Sequence, residues 1–300
     1  MTMNRLKGMH AALLTGLSDE GEFSPTRQRS INGYVLRQGL DGLYVGGSSG
    51  ESGLLTIDEL LDQQAIVAED TKSEDCQLIA HVGAPNLRDS IQLAQSAQRL
   101  GYDALSALPP HAYPFSDKEI IAYYTELSAA TDLPMIVYEV PIRTGRPLSN
   151  DVLAQLLNLK NVAGIKFTSS DMFKMARLRK AHPQKLIFFG FDEVYLAAAA
   201  LGVDGGIGTT YNILGKLYAA LHTAIAKQDL TQARKLQELS QEFVATILST
   251  GVLPGVKVAM QEIGVDCGPT RAPFLVQSTE GEKAVRSLIR SPEYQQWLAT

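Results

Sequence analysis

The sequence predicts a (β/α)8 barrel, the TIM-barrel class of α/β fold, with a C-terminal helical extension. Three observations lead there. Short apolar runs recur along the chain, each followed by a longer amphipathic stretch. The runs are apolar at consecutive positions, the pattern of parallel strands buried on both faces. Eight such runs alternate with eight helical segments, and a closed barrel leaves no sheet edge exposed. The competing arrangement, an open doubly wound sheet, usually carries a phosphate loop at its first βα turn, and Leu14–Leu17 is not glycine-rich.

The expected strands are His10–Leu14, Gly42–Val45, Gln77–Val82, Asp103–Leu108, Pro134–Val140, Val162–Phe167, Lys185–Phe189 and Asp204–Ile207. Helices start where the chain offers caps. Ser24-Pro25 puts proline in a first turn, where its missing N–H costs nothing. Thr56-Ile57-Asp58-Glu59 and Ser116-Asp117-Lys118-Glu119 are capping boxes, opening helices that end near Thr71 and before Leu133-Pro134. Leu87–Leu100 stops at Gly101. Asn150–Leu157, Asp171–Ala181, Glu193–Leu201 and Leu214–Ala226 complete the barrel, placed at residues 1–228. Residues 229–300 read as helices Leu230–Ser249, Leu253–Ile263 and Glu280–Leu298, with a Gly/Pro-rich loop at Gly264–Pro273. With no strands of its own, this stretch is an extension of the same domain.

Composition narrows the partners. A formal net charge of -5 with 20% charged residues gives no electrostatic footprint for nucleic acid or an anionic membrane. No run approaches the ~20 apolar residues of a membrane span, and the basic N-terminus is not followed by a long apolar core. Cys76 and Cys267 form no CxxC pair, so a reduced cytoplasmic setting is expected. His10, His81, His111, His182 and His222 show no metal-ligand spacing, and no GxGxxG follows a strand. The expected partner is a small molecule, with neither metal nor organic cofactor.

Barrel active sites lie at the C-terminal ends of the strands, which ranks the polar residues. Lys166 follows the buried run Val162–Ile165. Held there it loses hydration and deprotonates more easily, as an imine-forming amine must; a lysine snorkelling to the rim is the plainer reading. Gly46-Gly47-Ser48-Ser49-Gly50 reads either as an anion nest for a carboxylate or as an ordinary βα turn. Tyr138 reads as a proton-passing phenol over the mouth or as a core tyrosine. Asp192 and Glu193 suit sugar hydroxyls or a helix dipole equally. His81 reads either as a histidine facing the barrel interior or, more plainly, as a satisfied core histidine.

In combination these segments resemble the N-acetylneuraminate lyase and dihydrodipicolinate synthase superfamily of Schiff-base aldolases, over nearly the whole chain. Gly46–Glu51 is similar to its carboxylate loop, Tyr138-Glu139-Val140-Pro141 to its YxxP motif, and Gly164–Thr168 to its Schiff-base strand. Gly190-Phe191-Asp192-Glu193 and Asp204–Asn212 resemble segments of the sialic acid branch. The resemblance implies an imine between Lys166 and pyruvate, with Ser48, Ser49 and Gly47 at its carboxylate. It implies a proton relay of Tyr138 with Ser48 and Thr168, and a sugar tail on Gly190, Asp192, Glu193 and Thr209. It implies a homotetramer and a retro-aldol cleavage of N-acetylneuraminate to pyruvate and N-acetylmannosamine. Three departures stand out: Glu139 where the family usually has Asn, Arg143 where the sialic acid branch is apolar, and Pro110-His111-Ala112-Tyr113 for its PxYY. Arg143 suits the synthase branch, where it would hold a second carboxylate. Glu139 and Arg143 either pair or reshape the pocket for another 2-keto-3-deoxy sugar acid. A synthase, a sugar-acid aldolase or dehydratase, and a ligand-binding barrel without turnover are the alternatives.

Overall fold

The computed structural model describes residues 3–275 and 278–299. Met1 and Thr2, read as the start of the barrel unit, and Val276, Gln277 and Thr300, read as parts of the extension, lie outside the described residues. Eight strands follow the chain: β1 (Gly8–Ala12), β2 (Gly42–Val45), β3 (Gln77–His81), β4 (Ala104–Ala107), β5 (Met135–Glu139), β6 (Val162–Phe167), β7 (Leu186–Phe189) and β8 (Gly205–Gly208). They pair in sequence order, all parallel, and β8 closes onto β1. Around them lie α1 (Pro25–Leu36), α2 (Ile57–Asp70), α3 (Leu87–Arg99), α4 (Asp117–Ala129), the single turn α5 (Pro141–Thr144), α6 (Asn150–Leu157), α7 (Met172–Ala181), α8 (Tyr195–Ala200) and α9 (Tyr211–Ala226). The (β/α)8 expectation holds.

The helix starts follow local chemistry. Thr56 and Ser116 each accept the backbone N–H of a glutamate three residues on, and that glutamate's carboxylate answers the cap's own N–H. Ser24 caps α1 with Pro25 in the first turn. Most boundaries shift by one to three residues from expectation, and two departures have a clear physical cause. The first strand is Gly8–Ala12 rather than His10–Leu14, because Gly8 pairs with Gly205 when the barrel closes. A side chain at Gly8 would collide with the Asp41 carboxylate, with its Cβ 2.1 Å from Oδ2. The last helix is split into α12 (Thr279–Arg290) and α13 (Pro292–Gln295). Ser291 is extended there (φ -66°, ψ 145°), as a residue before proline prefers.

Strand side chains alternate between two cores. Outward residues pack under the helices. Inward ones, including Ala12, Tyr44, Ile79, Ile136, Phe188 and Ile207, fill the barrel, and Leu6 from the preceding turn joins them. The barrel is therefore a packed interior and not a pore.

The extension comprises α10 (Leu230–Leu248), α11 (Val252–Glu262), α12 and α13. Glu51, buried at φ 59° after β2, forms an ion pair with Lys257 of α11 at 2.8 Å and accepts the Arg271 N–H at 2.6 Å. The Arg271 guanidinium pairs with Glu59, the cap acid of α2, at 2.5 Å and pulls that carboxyl down to about 2. The extension thus braces the loop leaving β2. Among the described residues no single helix is long and apolar enough to cross a membrane.

Candidate active site

Inward positions on β6 are Gly164 and Lys166. Gly164 is bare because a Cβ there would meet the Leu186 carbonyl at 2.2 Å. Lys166 is 3% exposed. Its Nζ lies 4.1 Å from the centre of the Tyr44 ring and 4.3 Å from that of Tyr138. Burial pulls its pKa below the ordinary lysine value, while the Tyr138 phenol and the Asp192 carboxylate favour the cation and Arg143 opposes it. The amine is shielded and partly primed to lose its proton.

Tyr138 sits beside Lys166 because the two are register partners across β5 and β6. Its ring meets Tyr44 edge-on at 6.3 Å and His81 edge-on at 6.1 Å. Tyr44 donates its hydroxyl hydrogen to Ser106 of β4 at 3.0 Å. His81, at the end of β3, is buried and held neutral, its pKa pushed down to about 3 by desolvation and then by Lys166.

The loop after β2 turns at Gly46, whose φ of 71° is a left-handed value suited to glycine. Gly47 is needed for another reason: its Cβ would meet the Tyr44 ring at 2.5 Å. Ser48–Gly50 then form a 3-10 turn. Ser49 shares a 2.7 Å hydrogen bond with Thr209 after β8, and Thr15 donates to the Gly50 carbonyl at 2.6 Å. Ser48 is half-buried.

Opposite lie the ends of β6 to β8. Among the described residues the Thr168 hydroxyl is buried without a hydrogen-bond partner. A Cβ on Gly190 would stand 1.9 Å from it, so glycine makes room for that hydroxyl. Asp192 accepts the Thr210 N–H at 2.9 Å and its hydroxyl at 2.7 Å through Oδ2. Its Oδ1 is buried without a partner among the described residues, and desolvation pushes the carboxyl up to about 6. Glu193 is half-buried beside it. Ser48, Ser49, Gly47, Tyr138, Lys166, Thr168, Gly190, Asp192, Glu193 and Thr209 thus share one barrel end, though Thr168 makes no relay hydrogen bond.

Glu139 and Arg143 do not pair. Glu139 faces outward from β5, its Oε1 accepting Lys174 Nζ of α7 at 2.9 Å and the Leu148 N–H at 3.1 Å. Lys174 also donates to the Leu148 carbonyl at 2.5 Å. The pair therefore closes the base of the loop that carries α5, and Arg143 on α5 is exposed.

Sequence reasoning missed Tyr44 and Ser106. A tyrosine inside an apolar run reads as core. The available signal was alternation: residues 42 and 44 of β2 share the inward face, as do 164 and 166 of β6.

Fold and site together define a class, a (β/α)8-barrel enzyme with a shielded amine at its mouth. The chain belongs to the dihydrodipicolinate synthetase family, whose profile matches residues 5–291. It is 41% identical over 270 residues, 90% of each chain, to an N-acetylneuraminate lyase of Rhizobium meliloti (strain 1021). The structure of CdNal from Clostridium difficile in complex with mannosamine is 34% identical, with a TM-score of 0.92 over 98% of this chain and 99% of that one. A catalytic lysine mutant of Ruminococcus gnavus sialic acid aldolase is 26% identical, with a TM-score of 0.93 over 99% of each chain.

Proposed function

We propose that the chain is a class I pyruvate-dependent aldolase that reversibly cleaves N-acetylneuraminate to pyruvate and N-acetylmannosamine. The observation that carries this reading is the Lys166 amine, buried between the Tyr44 and Tyr138 rings with a lowered pKa. A neutral amine adds to the C2 carbonyl of the keto acid, Tyr138 gives its proton to the departing hydroxyl, and water leaves, giving a protonated imine beside a phenolate. That imine is the electron sink. Tyr138 takes the proton of the C4 hydroxyl, the C3–C4 bond breaks, and the electron pair enters the imine as an enamine. Protonation at C3 and hydrolysis release pyruvate and restore the amine.

In this reading Ser48, Ser49 and the Gly47 backbone hold the carboxylate, and Thr168 and Ser48 orient the phenol. Asp192, Glu193, Gly190 and Thr209 hold the sugar hydroxyls. The free Asp192 Oδ1 supports that role. Arg143, exposed on α5, favours a second reading: a synthase or aldolase whose second substrate carries a further carboxylate. The enzyme works as a homotetramer in the cytoplasm; exposed Tyr113 on the loop after β4, Ile142 on α5 and Phe173 on α7 support self-association, and its two free cysteines support the compartment.

Borohydride reduction in the presence of pyruvate tests the first step. A pyruvyl adduct on Lys166 is expected, and an unmodified lysine would reject imine chemistry. A panel of sialic acids, 2-keto-3-deoxy acids and aspartate semialdehyde then separates the two readings. Pyruvate released only from a non-sialic acid rejects the first.

A further inference from the structure

His81 has no part in the chemistry above, yet it joins three strands' loops. One ring nitrogen, Nδ1, lies 3.0 Å from the Gly46 carbonyl, and the other, Nε2, lies 3.3 Å from the Leu108 N–H. The Leu108 amide can only donate, so Nε2 accepts and the ring proton sits on Nδ1, donated to Gly46. The ring's remaining surface meets Tyr138 edge-on and lies tilted to Tyr44 at 5.9 Å. Both ring nitrogens of this buried, neutral histidine are therefore satisfied.

We propose that His81 is a positioning residue that sets the carboxylate-binding loop and the Tyr138 phenol as one unit. This rests on the reading of Gly47–Ser49 as the pyruvate carboxylate site. A trans peptide holds its N–H opposite its C=O. Anchoring the Gly46 carbonyl therefore fixes the direction of the Gly47 N–H and the start of the Ser48–Gly50 turn. Left-handed Gly46 gives this peptide more freedom than other residues would allow, so an external anchor is needed. The same ring limits the tilt of Tyr138, whose phenol must reach the C4 hydroxyl. Gly83 leaves the ring room: its Cβ would stand 3.1 Å from His81 Cε1 and Nε2.

Two substitutions separate the contacts. His81→Asn keeps an amide donor near the place of Nδ1 and loses the acceptor for Leu108. His81→Gln keeps an acceptor near the place of Nε2 and loses the donor to Gly46. The half-saturating pyruvate concentration is measured by borohydride trapping on Lys166. It is expected to stay within about threefold in His81→Asn and to rise about tenfold in His81→Gln, the cost of one buried unsatisfied carbonyl. Both should lower kcat, because both remove the ring beside Tyr138. Equal half-saturation in the two variants, with losses that follow melting temperature alone, overturns the proposal. Absence of an adduct in the parent protein is a different failure, that of the imine reading on which the carboxylate site depends. A measurement on the unmodified enzyme covers variants that do not fold. In nitrogen-15 spectra the His81 imidazole should be neutral, protonated on Nδ1 and shifted by pyruvate. An Nε2-protonated ring, or one indifferent to saturating pyruvate, overturns the proposal as well.

Discussion

Substituting Lys174 by methionine would leave the Glu139 carboxylate, 0% exposed, facing only the Leu148 N–H. At the 2.9 Å separation of the pair, an effective dielectric near 20 gives an attraction of about 6 kcal/mol. Desolvation of two ions cancels much of this, so the intact pair contributes little net stability. The single variant is different, because the cost of burying Glu139 stays while its partner is gone. Lys174→Met should lower the unfolding free energy by about 3–5 kcal/mol. Glu139→Gln combined with Lys174→Met should cost only about 1–2 kcal/mol, mainly for the Leu148 carbonyl left without its donor.

The pH dependence gives a second check. Burial already raises the Glu139 pKa, and removing the ammonium raises it further. A carboxyl raised on folding contributes stability that is full below its unfolded value of ~4 and lost as pH rises through the folded value. The deficit of Lys174→Met should therefore be smaller at about pH 5 than at about pH 8. Urea denaturation at the two pH values, followed by circular dichroism, measures both effects. A double variant as costly as the sum of the two single ones, or a deficit that grows on acidification, would refute the reasoning.

Other outcomes follow from the mouth. Lys166→Arg should abolish turnover and the borohydride adduct, because guanidinium stays charged and cannot add to a carbonyl; mass spectrometry of the reduced protein reports it. Asp192 accepts sugar hydroxyls more strongly when ionised, and burial sets its carboxyl at about 6. KM for the sugar should therefore rise as pH falls through about 6, an effect that Asp192→Asn should remove even while raising KM overall; an unchanged acid limb in that variant would contradict the assignment. Tyr44→Leu removes a ring that stabilises the ammonium by about 0.5–2 kcal/mol, so the pH of half-maximal trapping should fall by about 0.4–1.5 units. Gly190→Ala should displace the Thr168 hydroxyl, lowering kcat and costing roughly 1–3 kcal/mol of stability, read from activity and melting temperature together.

The parts of this protein that its sequence determined alone are those whose causes are local. Parallel strands announce themselves because both faces are buried, so consecutive residues are apolar. Helix starts at Ser24, Thr56 and Ser116 are legible because a cap and its partner lie within four residues. Lys166 stood out as a cation closing a buried run. The tertiary structure decided what each of these residues faces. Tyr44 became one wall of the amine's cage only because barrel closure turned β2 and β6 inward together. His81 became a bridge because β2 and β4 flank β3. Glu139 turned away from the mouth toward Lys174, and Glu51 toward Lys257, partners distant in sequence that hydrophobic pattern does not connect. A side chain's neighbours across a closed barrel depend on strand register, and register is settled by the packing of all eight strands at once rather than by any single segment.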